Sequence, residues 1–223
     1  MSHAERVRAA YAAAVAALDL TPVGPAADAL AARLQDGGLL HALGCGHSQA
    51  LALEGYHRAG APAWVAPLLD ARLDPGRGAE ETATEHTEGL GRELVARLDP
   101  TRARALLLIS NSGRAAVLQE AALAARGAGL LTIAITSPGP DNRLALAVEH
   151  VLATNVPNGD AVVEISGARM APLSTVVGAV LLHALLAETE ARLGAGTVLV
   201  SVHVAGGERR NATLLDRYPH LRP

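Results

Sequence analysis

The sequence contains no lysine, since all 19 basic residues other than histidine are arginines. Schiff-base catalysis, pyridoxal phosphate binding and the phosphate-binding P-loop each need a lysine amine, so these functions are excluded. Cysteine is almost absent as well: Cys45 is the only one. A single thiol excludes an internal disulfide and a cysteine-rich zinc module, and it fits a reducing compartment.

Long apolar runs are also missing. No stretch approaches the roughly 20 residues that a membrane span needs. The first 20 residues carry Glu5, Arg6 and Arg8 where a secretory signal would be apolar. We therefore expect a cytoplasmic protein that has no membrane partner.

The charge pattern gives no sign of a nucleic-acid partner. The formal net charge is -3, aromatic residues make up 2% of the chain, and no basic stretch is interleaved with aromatics. A small anionic ligand must therefore be held by a local site. The 223 residues, half of them hydrophobic, suffice for one full core. Without a linker or a repeat, we expect a single domain over residues 1–223.

Short apolar runs without period-two alternation are interleaved with helical stretches along the chain, which is typical of parallel strands covered on both faces. Strands are predicted at residues 39–43, 63–69, 105–109, 130–136 and 148–153, with a further β-like run at 197–202. Helices are predicted at residues 3–18, 21–36, 49–58, 80–98, 114–127 and 170–193, with a short one near Asn211. The predicted fold class is α/β, a doubly wound three-layer sandwich with N-terminal helices in residues 1–36 and a C-terminal helix and tail in residues 170–223.

Two loops rich in glycine and serine each follow a buried strand and precede a helix. Residues 44–48, Gly-Cys-Gly-His-Ser, form the first loop, and residues 110–113, Ser-Asn-Ser-Gly, form the second loop. In a flavodoxin-like strand order the first and third strands end side by side, so both loops would face one crevice. Free N–H groups at the start of each following helix favour an anion. Either loop alone is an ordinary turn, but the pair predicts an anion site.

A dinucleotide site is the alternative interpretation of the first loop. Gly44 and Gly46 match the start of a G-x-G-x-x-G fingerprint, but Gln49 occupies the position of the third glycine. The second loop would also have no role in the usual dinucleotide arrangement. The sequence therefore disfavours a nicotinamide enzyme.

The loops and several further segments resemble the sugar isomerase (SIS) domain family, in particular the stand-alone bacterial branch related to phosphoheptose isomerases. The resemblance covers most of the chain and is carried by residues 43–48 with Glu54, 56–60, 109–114, 159–161, 172–175 and 206–218. It implies a five-stranded parallel sheet in flavodoxin-like order and a homodimer or homotetramer with phosphosugar sites close to the subunit interfaces. Packing of the apolar helix at residues 170–193 between subunits would bury it.

The predicted phosphosugar-binding residues lie in the two loops and after the last strand. They are Gly46, His47, Ser48, Ser110, Asn111, Ser112, Gly113 and Asp160. Of these, Ser48, Ser110, Ser112 and Gly113 match the phosphate-loop positions of the family. Asp160 is a candidate for the sugar hydroxyls, and its alternative role is that of an ordinary turn aspartate.

The sequence departs from the family pattern in two places. Ala115 follows Arg114 where many members have a hydroxyl donor, and residues 137–141 replace a longer segment rich in serine and histidine that includes a lysine. These departures leave phosphate binding as the expectation and catalysis as an open question.

Aldose–ketose isomerisation needs a base near the sugar and a second acid or base for its oxygens. Glu85 and Glu88 share one face of the predicted helix at residues 80–98, and Glu88 is the first choice for the base. The alternative for both is a solvated helix face. His183 interrupts an apolar run, where it would be a buried or interface residue; the resemblance to the phosphoheptose isomerase helix assigns it a catalytic role.

Other charged residues have simpler interpretations. Glu80 and Glu81 would complement the dipole of their helix, and the i, i+4 spacing of Glu54 and Arg58 predicts an ion pair. His41, His47, His57 and His86 show no metal-binding spacing. A zinc site would require convergence in space, so neither a metal nor another cofactor is predicted.

The predicted function is the binding of a phosphorylated sugar, with aldose–ketose isomerisation as the expected reaction. One alternative is a regulatory module that binds a phosphosugar without converting it. Another is a lyase or etherase that acts on an amino-sugar phosphate with a single glutamate base.

Overall fold

A computed structural model describes residues 1–157, 159–194 and 196–222 of the chain. Its α-helices are α1 (His3–Ala16), α2 (Val23–Leu34), α3 (His47–Glu54), α4 (Ala79–Thr84), α5 (Leu90–Ala96), α6 (Ala116–Gly127), α7 (Arg143–Ala147), α8 (Ser174–Leu193) and α9 (Gly207–Arg217). Its strands are β1 (Leu39–Gly44), β2 (Val65–Pro67), β3 (Ala103–Ile109), β4 (Leu131–Thr136), β5 (His150–Ala153), β6 (Ala161–Ile165) and β7 (Ala168–Pro172).

Five parallel strands form the central sheet in the order β2-β1-β3-β4-β5. This order confirms the predicted flavodoxin-like arrangement, in which the chain reverses direction across the sheet between β1 and β3. Gly44 at the end of β1 pairs with Ile109 at the end of β3. The two strands therefore deliver their following loops to the same edge of the sheet.

Helices cover both faces of the sheet, as the unbroken apolar strands require. Along β3, Ala105, Leu107 and Ile109 pack with α2, α3 and α8, whereas Leu106 and Leu108 pack with α5, α6 and α7. The three-layer α/β sandwich is therefore confirmed. In the part of the chain that the structure describes, no helix is both long and apolar enough to cross a membrane.

The prediction of one continuous helix over residues 80–98 is wrong, because two short helices replace it. α4 ends at Thr84, and α5 begins at Leu90 after a turn in which Gly89 has a φ of 89°. This left-handed conformation is easily adopted by glycine and interrupts a helix. Glu85 and Glu88 consequently do not share a helical face.

The predicted start of the C-terminal helix at residue 170 is also wrong. Met170 lies in β7, which pairs antiparallel with β6, and α8 begins four residues later at Ser174. Ser166 and Gly167 connect the two strands with φ values of 53° and 81°. Two successive positive φ values are characteristic of a tight hairpin turn.

Burial of α8 does not require a second subunit. Its apolar face, from Leu181 to Leu186, packs against α2, α3 and the sheet of its own chain. The homodimer or homotetramer stays a prediction. Within the described tail, the β-like run at residues 197–202 forms one isolated bridge, between Val198 and Pro62, while the predicted helix near Asn211 is confirmed as α9.

His41 of β1 yields a test of the core. Its side chain is 8% exposed, and its Nδ1 has no hydrogen-bond partner among the described residues. Burial, assisted by the nearby His220, lowers the pKa of His41 from 6.5 to about 4. The native chain therefore excludes a proton that the unfolded chain binds between these two values, so His41 makes stability fall as the pH drops from 6.5 to 4.

We predict that His41→Gln flattens this pH dependence. Relative to the variant, the wild type should lose roughly 2–3 kcal/mol of unfolding free energy between pH 7 and pH 4. Urea unfolding at several pH values measures the difference, with the exposed His203→Gln as the control. Parallel curves for wild type and His41→Gln would show that His41 does not titrate as described.

Candidate functional site

The first loop turns sharply between β1 and α3. A Cβ atom on Gly44 would lie 2.4 Å from the main chain of Ser48, so only glycine fits this close approach. Gly46 adopts a φ of 55° at the start of α3. The main-chain N–H groups of Ser48 and Gln49 donate to the carbonyls of Cys45 and Gly46. His47, the first residue of α3, is exposed.

The second loop is held by its own serine. The Gly113 N–H donates to Ser110 Oγ at 3.1 Å, and Gly113 has a φ of 62°. Ser112 is exposed, with its Oγ accepting a bond of 3.4 Å from the Arg114 N–H. α6 then begins at Ala116, and no side chain in the described structure caps it. Its first N–H groups and its dipole favour an anion beside this loop.

The two loops meet as predicted. They line a small cavity of about 30 Å³ at the carboxyl edge of the sheet, and its lining consists of His47, Ser48, Leu51, Ile109, Asn111, Ile135, Thr154, Ser174 and Thr175. The Thr154 hydroxyl donates to Asn111 Oδ1 at 2.7 Å. This bond ties the end of β5 to the second loop.

A larger depression of about 280 Å³ adjoins the second loop over β3, β4 and β5. Asn111 and Ser112 line it together with Arg114, Ser137, residues 138–142, Val156 and Pro157. The Arg114 guanidinium is exposed and lies 3.8 Å from the Asp141 carboxylate. The second loop thus offers a hydroxyl to this space and Arg114 offers a cation, and α6 begins two residues after Arg114.

Three hydroxyl residues of this edge were not predicted from the sequence. Ser137 and Thr154 directly follow β4 and β5, and Ser174 begins α8. For Ser137 and Thr154, the only signal in the sequence was that each residue directly follows a strand. Ser174 belongs to residues 172–175, which carry part of the family resemblance, and it reaches the edge through the fold of the β6–β7 hairpin.

Asp160 has a structural role in the protein. Its Oδ1 accepts from the main-chain N–H groups of Leu173 and Ser174 at 2.9 and 2.7 Å, and its Oδ2 accepts from Ser174 Oγ at 2.7 Å. The carboxylate therefore stabilises the start of α8 and positions Ser174. A contact between Asp160 and sugar hydroxyls stays a prediction.

The two predicted glutamates occupy different environments. Glu85 follows α4 and is partly buried, and burial raises its pKa. Glu88 lies in the exposed turn before α5. Glu81, predicted to be a simple first-turn charge, is instead 8% exposed and packs against Gly46 of the first loop. Sequence reasoning missed this buried carboxylate because its partner loop is distant in the chain.

His183 is exposed on α8 and does not lie in the core of this chain. Its Nε2 is 3.3 Å from Glu54 Oε1 on α3. Glu54 also pairs with Arg58, which confirms that predicted ion pair. The sequence argument gave Glu54 no catalytic role, because its contact with His183 joins two residues that are far apart in the chain.

Helices α3 and α8 run side by side from the cavity. A Cβ atom on Gly178 would lie 2.8 Å from Leu51 Cδ1, and one on Gly55 would lie 3.7 Å from Leu182 Cδ2. From the first of these pairs to the second, the residue on each helix lies about one turn further toward the C-terminus. The two helices are therefore parallel. Glu54 is six positions after Ser48 along α3, which corresponds to a rise of about 9 Å. The pair of His183 and Glu54 therefore lies roughly two turns beyond the cavity.

Comparison with known proteins places these features in a family context. The SIS domain profile matches residues 4–137. The chain is 34% identical over 213 residues to a UPF0309 protein of Brucella canis and 35% identical over 213 residues to one of Brucella ovis. Each alignment covers 88% of this chain and 88% of the relative. The resemblance stated from the sequence motifs is confirmed.

Solved structures share the fold. A phosphoheptose isomerase from Neisseria gonorrhoeae has a TM-score of 0.56 at 20% identity, covering 85% of this chain and 100% of its own. One from Francisella tularensis has a TM-score of 0.56 at 18% identity, covering 86% and 100%. The sugar isomerase domain of an RpiR transcription factor from Sphaerobacter thermophilus has a TM-score of 0.51 at 16% identity, covering 95% and 93%.

The geometry of the second loop leads to a stability prediction. A Cβ atom on Gly113 would lie 1.8 Å from Asn142 Oδ1, and the positive φ disfavours any other residue. Gly113→Ala should lower the unfolding free energy by roughly 2–3 kcal/mol. Gly139→Ala is the matched control, because a Cβ there meets no described atom within 4 Å. Equal denaturation midpoints for the two variants would contradict this description of the loop.

Proposed function

The chain belongs to the SIS domain family, and on that premise we propose that it binds a phosphorylated sugar at its second loop and interconverts the aldose and ketose forms. The observation that carries the proposal is the meeting of the two glycine-serine loops at one edge of the sheet. Ser48 and Asn111 line the same cavity although they follow different strands. A loop that only connected a strand to a helix would not need a second glycine-serine loop beside it.

The second loop supplies the donors that a phosphate needs. Ser112 Oγ and the Arg114 guanidinium border the larger depression, and the uncapped start of α6 lies directly behind them. Helix N-termini and arginine both favour phosphate oxygens. Because the net charge of the chain is -3, this local arrangement has to supply the attraction.

Glu54 and His183 are the pair that we propose for proton transfer. Isomerisation moves a proton between adjacent carbons and adjusts the protons on two oxygens, so it uses two acid–base groups. At 3.3 Å the carboxylate accepts a hydrogen bond from the imidazole tautomer that carries its proton on Nε2, and it orients the ring. Helical side chains point toward the N-terminus of their helix, which directs both groups back toward the two loops. A sugar held by its phosphate would extend along α3 and α8.

The earlier assignments of Glu85 and Glu88 remain as competing hypotheses. Glu88 is exposed and accessible to a ligand, whereas Glu85 faces Cys45 and Glu81 in the interior. A catalytic Glu88 would also suit the lyase or etherase alternative. Parallel substitutions separate these possibilities.

A binding module without turnover is the second candidate function. Two features of the chain favour it: the absence of lysine and the short segment at residues 137–141. The shared fold with the sugar isomerase domain of a transcription factor shows that this architecture also occurs in a regulatory protein. Binding and turnover therefore need separate measurements.

Phosphosugar binding is tested by thermal shift and calorimetry with a panel of aldose and ketose phosphates. We expect stabilisation by at least one phosphosugar and none by the matching unphosphorylated sugars. Loss of one hydrogen bond to a charged phosphate costs about 1.5–3 kcal/mol, so Ser112→Ala should raise Kd roughly ten- to hundredfold. Ser201→Ala, in the loop before α9, is the control. Equal Kd values for Ser112→Ala and the control would remove the second loop from the site.

Turnover is tested on any phosphosugar that binds. We expect His183→Asn and Glu54→Gln each to lower kcat about 10²–10⁴-fold while Kd changes little, because proton transfer and phosphate binding use different residues. Glu188→Gln, also exposed on α8, should keep full activity. If Glu88→Gln abolishes turnover and Glu54→Gln does not, Glu88 replaces the pair. A ligand that binds without conversion supports the binding module.

A further inference from the structure

Three acidic groups converge behind the first loop. Cys45 lies in the loop itself, Glu81 in α4 and Glu85 immediately after α4. The thiol and one oxygen of each carboxylate all lie within 4.8 Å of one another. Cys45 and Glu81 are each 8% exposed, and Glu85 is partly buried. The cluster is on the face of the sheet covered by α5 and α6, opposite to His183 and Glu54.

Glu81 supplies an independent observation that points to a ligand. Its Oε1 is buried and has no hydrogen-bond partner among the described residues. Leaving a buried charged acceptor without a partner costs more than the 1–3 kcal/mol typical of neutral groups, and such atoms are rare in native proteins. The Glu81 carboxylate lies beside the Cys45 thiol and Glu85. Its unpartnered oxygen therefore belongs to a side chain that points into the cluster.

The electrostatics of the cluster favour a cation. Glu81 and Glu85 are like charges at i, i+4, a spacing that is destabilising without compensation. The imidazoles of His47 and His86 are the basic side chains beside Glu81. A divalent ion would compensate the carboxylates and the thiolate together.

We propose that Cys45, Glu81 and Glu85 bind a divalent transition-metal ion, with Zn²⁺ as the ion best suited to the site. One sulfur and two oxygen donors match a borderline ion, whereas Mg²⁺ and Ca²⁺ prefer oxygen donors alone. Zn²⁺ binds thiolate at about 2.3 Å and carboxylate oxygen at about 2.0–2.2 Å in tetrahedral geometry. The ligand atoms would have to approach to about 3.5 Å of one another, a contraction of roughly 1 Å that side-chain rotation provides.

His86 supplies the fourth ligand in the simplest arrangement. Its Nε2 is 3.4 Å from Glu85 Oε1, and the ring is exposed, so it is free to rotate toward the ion. No sequence motif could have indicated this site, because Cys45 is 36 positions before Glu81 and reaches it only through the fold. The metal would fasten the first loop to α4 and so fix one wall of the phosphosugar crevice.

The experiment uses Co²⁺ as a spectroscopic probe on the metal-free full chain, without any sugar. Because Cys45 is the only cysteine, a thiolate-to-Co²⁺ charge-transfer band in the near ultraviolet can arise from this residue alone. We expect one Co²⁺ per chain, this band, tetrahedral visible bands and displacement by Zn²⁺. Absence of the charge-transfer band in the folded wild-type protein would overturn the proposal.

Variants locate the other ligands. Cys45→Ser should lose the charge-transfer band, and Glu81→Gln should raise the Kd for Co²⁺ at least about tenfold, since even outer-shell substitutions commonly cost 10–100-fold. Glu80→Gln is the matched control, because Glu80 precedes Glu81 in the same helix and is exposed. Unchanged Co²⁺ affinity in Glu81→Gln would contradict the assignment.

Two further measurements separate metal binding from misfolding of the variants and from the proposed function. Zn²⁺ should raise the Tm of the wild type in proportion to the logarithm of its concentration, and the same titration should leave Cys45→Ser unchanged. Ser112→Ala should retain the full Co²⁺ spectrum. Failure of phosphosugar binding with a normal Co²⁺ spectrum would reject the proposed function alone, and the reverse result would reject the metal site alone.

Discussion

Gly44 at the end of β1 lies opposite Ile109 at the end of β3, and the rest of the structure depends on this register. A shift by one residue would displace one loop by about 3.3 Å and would turn the alternating apolar residues of β3 toward the wrong helical layer. Because both faces of the sheet are packed, the register is fixed by the core. The core therefore determines where the first and second loops meet.

Around this meeting point, hydrogen bonds and close packing tie the second loop to the residues that follow β4 and β5. Asn111 receives a bond from Thr154 after β5, and Asn142 leaves room for the second loop only because residue 113 is glycine. Asp160 fixes Ser174 at the start of α8. These contacts fix the second loop and the start of α8 within the fold, and a fixed site reduces the entropic cost of binding.

The five strands of the central sheet and both loops could be predicted from the sequence, because unbroken apolar runs and glycine-serine turns are local signals, whereas the strand order came from the family resemblance. The interruption of the predicted helix at Gly89 and the β6–β7 hairpin at Ser166 were missed. Each depends on a positive φ, which the charged or mixed residues around it do not indicate. The site was predicted in part. His47, Ser48 and Asn111 converge as expected, but the contact of His183 with Glu54 and the burial of Glu81 beside the first loop are long-range results of packing, which no spacing rule contains.

We propose that the edge formed by β1 and β3 holds the phosphate of a sugar, and a crystal structure of the chain with a bound phosphosugar tests this directly. We expect phosphate oxygens about 2.7–3.2 Å from Ser112 Oγ and from main-chain N–H groups at the start of α6. A phosphate bound elsewhere, for example in the cavity between Arg92 and Arg104 at the opposite edge of the sheet, with the second loop empty, would contradict it.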